Sequence, residues 1–460
     1  MQKMLRITGL LFFAILILVE PSLEYPVDGY AESGIRRLER LRIRIDDSLR
    51  GFVPPKGGQK SINEIRLNFV DTTVAFRDST PEPLAMLLDP LSQAPAAKPV
   101  HPPRLRLKNA ADTLYSTLGI FPRANKELQQ RLNALFANRD RSYSLALLEI
   151  TPVQAPPFGG VREHLQYSPG SVGKLAIAVG IFEELSRLFP GDIETRKQLL
   201  RKRMIVAENW IHHDDHGVPF YDIASGVSAF RPIKEGDVFS LWEWIDHMIS
   251  PSSNAAASTV WKEAMLIRHF GEHYPPSKEE ENAFFDTTPK SVLSEMALSI
   301  VNDPLRRIGI AEADWRLGSF FTNTGQRRVP GGGGSFATPR GLLLFLLRLE
   351  QGRVIDEWSS LEIKRLMYMT EKRIRYASAP RLSDCAVYFK SGSLYRCQPE
   401  PGFQCGKYKG NRDNYMNSVA IVERPDGKIY LVALMSNVLR INSAVEHQTL
   451  ATYIDRIIDQ

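Results

Sequence analysis

The sequence predicts a mixed α/β domain whose sheet is closed by strands from distant parts of the chain, with an all-helical subdomain inserted between them. Three patterns predict it. One strand-like run, YSLALLEITP from Tyr143, precedes a long stretch in which apolar residues recur at helical spacing. Beyond that stretch the pattern returns to strands, CAVYFKSGS and NSVAIVERPDGKIYLVALMSN, the second pair joined through Pro425-Asp426-Gly427. The chain then closes on SAVEHQTLATYIDRII, an amphipathic helix.

The first twenty residues, MQKMLRITGLLFFAILILVE, carry two basic charges and then an uncharged apolar run from Ile7 to Val19. That is the pattern of an export signal, and the run is short for a membrane span of about 20 residues. Residues 1–30 therefore read as a signal peptide or an N-terminal membrane anchor, which puts the protein in the periplasm or another extracytoplasmic space. Residues 31–110 read as an extension: a basic helix in SGIRRLERLRIRIDDSLRG, a short strand-like EIRLNFV, and a linker with prolines at 95, 99, 102 and 103. A catalytic-size domain is expected over 111–460, with about 175–380 largely helical.

Within that domain, Leu128, Leu132, Leu135 and Phe136 fall at helical spacing. The run GGGG at 331–334 reads as a flexible connection, since no Lys-Ser or Lys-Thr follows to make a phosphate loop. Thr338 and Pro339 then start another helix, TPRGLLLFLLRLEQG. The net charge of +6 and a pI near 9.0 come with no zinc finger, RNA motif or aromatic platform, so no nucleic-acid partner is expected. Three cysteines, Cys385, Cys397 and Cys405, include no C-x-x-C pair, and the spacing of the last two permits a local disulfide.

Three short motifs carry chemistry. In QYSPGSVGKLAIAVGIFEEL, Ser171 and Lys174 stand three positions apart at a helix start, on one face. A serine hydroxyl needs a base to become a nucleophile, and a lysine serves only when burial or neighbouring positive charge lowers its pKa. In WIDHMISPSSNAAAST, Ser252 and Asn254 lie in a loop between two helices, where a serine can relay a proton and an asparagine can hold a substrate amide. In VYFKSGSLYRC, Lys390, Ser391, Gly392 and Ser393 end a strand, where a lysine and a hydroxyl can meet a carboxylate and backbone N–H groups an oxyanion.

Taken in order, S-V-G-K at 171–174, S-S-N at 252–254 and K-S-G at 390–392 resemble the S-x-x-K, S-x-N and K-[ST]-G set of penicillin-recognising serine enzymes, nearest to class A beta-lactamases and small penicillin-binding proteins. FATPRGLLLFLLRLEQG is similar to the helix start after the active-site loop of the class A enzymes. The resemblance implies a beta-lactamase/transpeptidase-like fold, a mainly antiparallel sheet flanked by terminal helices. It implies Ser171 as the acylated residue, Lys174 as its base, Ser252 as proton relay and Asn254 as a substrate amide contact. It also implies that Lys390 and Ser391 meet the substrate carboxylate, and that the backbone amides of Ser171 and Ser393 form the oxyanion hole. No cofactor or metal is needed, and the partner is a beta-lactam or a peptidoglycan-derived peptide.

The activities that follow are a beta-lactamase-like serine hydrolase, a D-alanyl-D-alanine carboxypeptidase or other penicillin-binding protein, or a non-catalytic cell-wall-binding protein on the same fold. One departure bears on the choice. The E-x-x-L-N loop that supplies the deacylating glutamate of class A enzymes has no match here, although Glu295, Glu312 and Asp314 are available carboxylates in that interval. A second departure is extra material around NWIHHDDHGVPFYDIASG, which reads as a lobe at the cleft or a surface site. His212, His213, Asp214, Asp215 and His216 there read as a polar loop, because adjacent residues rarely converge on one ion.

Overall fold

The computed structural model describes residues 121–151, 156–212, 214–222, 226–370 and 372–459. The expected signal or anchor and the N-terminal extension lie outside the described residues.

The first described helix, α1 (Lys126–Phe136), is capped by Asn125, whose side chain accepts from the Leu128 amide at 3.0 Å. Its Leu128, Leu132 and Phe136 repeat every fourth residue, and all three are buried. The strand β1 (Ser144–Glu149) follows and pairs antiparallel with β2 (Phe158–Val161), a short strand that the prolines of its neighbourhood hid in the sequence. Along β1 the pleat sends Leu145 and Leu147 into the apolar layer that contains α1, and Ala146 and Leu148 into the opposite layer. Both faces are covered, which is why β1 reads as a continuous apolar run; each fully buried leucine contributes roughly 1.5–3 kcal/mol.

The helical region begins with α2 (Lys174–Leu188), buried on nearly every side, and α3 (Ile193–Lys202). Between them and α4 (Leu241–Ile249) the chain departs from the all-helical expectation. Two ribbons form, β3 (Met204–Val206) paired with β6 (Val238–Ser240), and β4 (Gly217–Asp222) paired with β5 (Val227–Pro232). Gly217, Pro219 and Pro232 interrupt any helical continuation, and the valines and aromatics between them favour extended backbone.

Next come α5 (Asn254–Phe270), α6 (Lys278–Thr287) and α7 (Lys290–Arg307). At Gly180 of α2 a Cβ would approach Ile300 Cγ2 to 2.9 Å, so the glycine lets α2 and α7 pack closely. A minimal pair of strands, β7 (Trp315–Arg316) and β8 (Phe336–Ala337), encloses the short helix α8 (Asn323–Arg328). The GGGG run is pinned rather than loose: the Gly332 amide donates to Gly318 O at 3.0 Å and Arg316 donates to Gly332 O.

Thr338 caps α9 (Pro339–Glu350), accepting from the Gly341 amide at 3.0 Å. After α10 (Glu357–Tyr368) the chain returns to the sheet as β9 (Ala386–Arg396), β10 (Asp413–Glu423) and β11 (Ile429–Asn437). The last element, α11 (Ala444–Asp459), packs with α1 on one face of the sheet. The five strands run β2-β1-β11-β10-β9, every neighbouring pair antiparallel, with β9 at the edge. Lys364 of α10 ties the helical region to the sheet, its Nζ 2.6 Å from Glu350 of α9 and 2.9 Å from Glu423 of β10, all three buried.

Candidate active site

Ser171 sits in a tight turn, Gly170–Gly173, that leads directly into α2. Gly170 has φ +51°, a left-handed conformation that glycine adopts without a Cβ clash. Two contacts fix the preceding strand segment: the Tyr167 amide donates to Ala337 O at 2.9 Å, and Asn417 Nδ2 of β10 donates to Ser168 O at 2.8 Å. β9 lies hard against the turn, since a Cβ on Gly392 would come within 2.3 Å of Pro169 O and 2.8 Å of Ser171 N. A Cβ on Gly170 would likewise meet Ser393 N at 2.8 Å. The amides of Ser171 and Ser393 therefore share one narrow space.

Lys174, the first residue of α2, is wholly buried. Its Nζ lies 3.1 Å from Ser171 Oγ and 2.7 Å from Asn254 Oδ1, and it also contacts Ser252 O. Burial pulls its pKa down from 10.5 to about 7, against the opposing pull of the Asp214 charge. The Ser252 carbonyl and the Asn254 amide oxygen can only accept, so they take two N–H groups. A neutral amine has two N–H groups and one lone pair, and the lone pair is left to the Ser171 hydroxyl. That is the arrangement in which the serine donates to its base.

Ser252 holds φ +68°, an uncommon conformation for a residue with a side chain. Its Oγ lies 2.7 Å from Lys390 Nζ and 3.4 Å from Lys174 Nζ, a hydroxyl bridging two lysines. Lys390 is also buried, and burial first, then the charges of Lys174 and Arg375, push its pKa well below the ordinary lysine range. Ser171, Lys174, Ser252, Asn254 and Lys390 thus form one connected cluster.

Ser391 and Ser393 take the other face of β9. Gly392 points at the Ser171 turn, so by the period of the strand its neighbours on either side point away from it. Ser391 stands across from Ser418, and Ser393 Oγ accepts from Arg375 at 3.0 Å. Arg375 went unnoticed in the sequence, where EKRIRYAS has no motif. It is buried, has φ +53°, and donates to Gly392 O at 2.8 Å, which braces the motif strand from behind.

The three candidate carboxylates for deacylation are engaged elsewhere or exposed. Glu295 is exposed, Glu312 is exposed and lies 3.4 Å from Arg316, and Asp314 accepts from Thr338 Oγ1 at 2.9 Å to support the start of α9. What faces Lys174 from that segment is Phe321, its ring centroid 4.9 Å from Nζ. The carboxylate whose charge acts on Lys174 is Asp214, from the loop ahead of β4. Among the described residues no group of three His, Cys, Asp or Glu side chains can hold a metal ion, and His213 lies outside the described residues.

Cys397 and Cys405 form a disulfide in the loop between β9 and β10, while Cys385 is a buried free thiol whose pKa burial raises to about 12. Among the described residues no helix is long and apolar enough to cross a membrane.

No curated protein matches the chain. Among solved structures, a class A beta-lactamase representative from Bacteroides cellulosilyticus DSM 14838 is similar at 13% identity, covering 74% of this chain and 98% of that one, with a TM-score of 0.48. A beta-lactamase from Sphaerobacter thermophilus DSM 20745 is similar at 15% identity over 73% of this chain and 96% of that one, TM-score 0.46. PBP-A is similar at 16% identity over 74% and 97%, TM-score 0.45. A family model described as the beta-lactamase enzyme family matches residues 127–457, from α1 through α11. With mixed helices and an antiparallel sheet around an inserted, mainly helical region, this chain belongs to the beta-lactamase enzyme family.

Proposed function

We propose that the protein is a serine acyl-transfer enzyme that opens a beta-lactam or a related amide through an ester on Ser171 and releases the acyl group slowly. The observation that carries this reading is the buried Lys174 amine 3.1 Å from Ser171 Oγ, with its two nearer neighbours, the Ser252 carbonyl and the Asn254 amide oxygen, able only to accept. In the first step the Ser171 oxygen forms a bond to the carbonyl carbon and its proton passes to Lys174. Negative charge on the carbonyl oxygen is met by the amides of Ser171 and Ser393. As the carbon–nitrogen bond breaks, the leaving nitrogen takes a proton through Ser252. Asn254 holds the substrate amide, and Lys390 holds its carboxylate.

Slow release is supported by the three candidate carboxylates, Glu295, Glu312 and Asp314, being exposed or engaged elsewhere, while the side chain from the same segment that packs on Lys174 is the aromatic Phe321. That observation favours a penicillin-binding protein or a D-alanyl-D-alanine carboxypeptidase over a fast class A-like beta-lactamase. The proposed address is extracytoplasmic, supported by the N-terminal apolar segment and the Cys397–Cys405 disulfide.

Intact-protein mass spectrometry with a penicillin, paired with turnover of a chromogenic cephalosporin, tests both halves. A persistent adduct, lost in Ser171→Ala, with little turnover is the expected result. Rapid turnover would return the protein to the beta-lactamases. No adduct, with wall fragments bound equally well by Ser171→Ala, would make it a non-catalytic wall-binding protein.

A further inference from the structure

The loop before β4 supplies something the three motifs do not contain. Asp214 has a side chain that is 3% exposed, and it joins three neighbours. Its Oδ2 accepts from Ser253 Oγ at 2.7 Å and from the Ala255 amide at 2.8 Å, at the N-terminus of α5. Its Oδ1 accepts from the His216 amide at 3.2 Å and lies 2.5 Å from His216 Nδ1. Burial alone would raise its pKa, but the hydrogen bonds from His216, Ala255 and Ser253 outweigh it and hold the group down at about 2. The carboxylate is ionised near neutral pH.

Ser253 is the middle residue of the S-S-N motif, and its hydroxyl also accepts from the Ala256 amide at 3.0 Å to start α5. The residues on either side of it, Ser252 and Asn254, both touch Lys174. Ser252 sits at an unfavourable φ that neighbouring structure must enforce. Asp214 grips the motif at its centre.

We propose that Asp214 is a positioning residue of this site, holding the Ser252–Asn254 turn in register with Lys174 and supplying a negative charge that acts on Lys174 through space. The inserted ribbons then belong to the acyl-transfer machinery, because the loop that leads into β4 carries the anchor of the second motif. The proposal rests on the reading of Ser171 and Lys174 as nucleophile and base. The charged groups around Lys174 are Asp214 from this loop and Lys390 from β9, with Arg375 behind Lys390 and His216 on the far side of Asp214.

The test uses the full chain with 13C-labelled lysine side chains, the Lys174 signal being assigned with Lys174→Arg. Two quantities are followed against pH: the Lys174 titration midpoint by NMR, and the rate of penicillin G acylation. Asp214→Asn keeps the shape and removes the charge, so the Lys174 midpoint and the acid limb of acylation should both move down by about one pH unit. The plateau rate should fall about tenfold or more as the turn loses its anchor. Ser253→Ala removes one of the anchor's bonds and leaves the charge, so the rate should fall with no shift in the midpoint.

An unmoved midpoint and acid limb in Asp214→Asn would overturn the proposal and reduce Asp214 to an ordinary structural residue. Should Asp214→Asn not fold, His216→Ala strips the carboxylate of one side-chain partner, and an unchanged acylation rate in that variant overturns the proposal. If wild-type protein forms no adduct while the midpoint still moves in Asp214→Asn, the acyl-transfer reading falls and the placement of Asp214 stands.

Discussion

Lys174 and Phe321 face each other, amine to ring, at 4.9 Å across the floor of the site. The ring covers one side of the buried amine, and on the proposed reading it also stands where a carboxylate would be needed to activate a water. Both effects follow from one side chain, and they act on different steps.

Phe321→Ala should let water reach Lys174 and relieve part of the burial that depresses its pKa. The acid limb of the acylation profile then moves up in pH, and at fixed low pH a limb lying one pH unit higher means a rate about tenfold lower. Adduct lifetime should shorten in the same variant, because the acyl ester becomes accessible to solvent. Single-turnover acylation from pH 5 to 9, followed by adduct decay, measures both; an unmoved limb would show that the ring does not shield the lysine.

Acylation by wild-type protein should rise with pH through about 7 and level off above it, since the neutral amine is the base. The same depressed value predicts a stability trend. Between the folded value near 7 and the ordinary 10.5 the unfolded chain binds more protons, so stability rises with pH across that window and is flat below it. The full slope is about 1.4 kcal/mol per pH unit. Lys174→Met should lack this contribution, so the difference between the two unfolding free energies, measured in urea at pH 6, 8 and 9, should grow with pH. A constant difference would mean that Lys174 titrates normally.

Lys390→Ala should slow acylation by carboxylate-bearing substrates by about 10–100-fold, the worth of a charged hydrogen bond in a buried site. The loss should be smaller for an esterified analogue, which has no full negative charge to engage. Ser391→Ala should have a much smaller effect, because by the strand period its side chain takes the face of β9 away from Lys390 and the Ser171 turn. Second-order acylation constants for acid and ester in all three proteins decide it, and equal losses on the two substrates would remove the carboxylate role.

Lys364→Met should destabilise the fold by about 3–5 kcal/mol, since it leaves Glu350 and Glu423 buried without their shared cation. Denaturant midpoints give the magnitude. A change under about 1 kcal/mol would mean the two carboxylates are readily neutralised by protonation.

The terminal strands and helix were legible in the sequence because their signals are local: apolar runs, a Pro-Asp-Gly turn and a 3.6-residue period. The S-V-G-K, S-S-N and K-S-G stretches were legible as a set because their order is readable even when each is weak. The ribbons at 204–240 were not, since three- and six-residue strands leave too little alternation to outweigh a helical neighbourhood. Asp214, Phe321 and Arg375 were hidden for a different reason. Their importance lies in contacts with residues between 17 and 147 positions away, and nothing in their own neighbourhoods encodes those contacts.

The close approach of Gly392 to the Pro169–Ser171 turn divides the third motif into positions that selection can tune and one that it cannot. Any side chain at 392 would wedge β9 away from the nucleophile and open the space shared by the Ser171 and Ser393 amides. Ser391 and Ser393, facing the other way, can change size and polarity without that wedge. Sequence drift is therefore expected to accumulate at 391 and 393, and lineages should pass around 392 rather than through it.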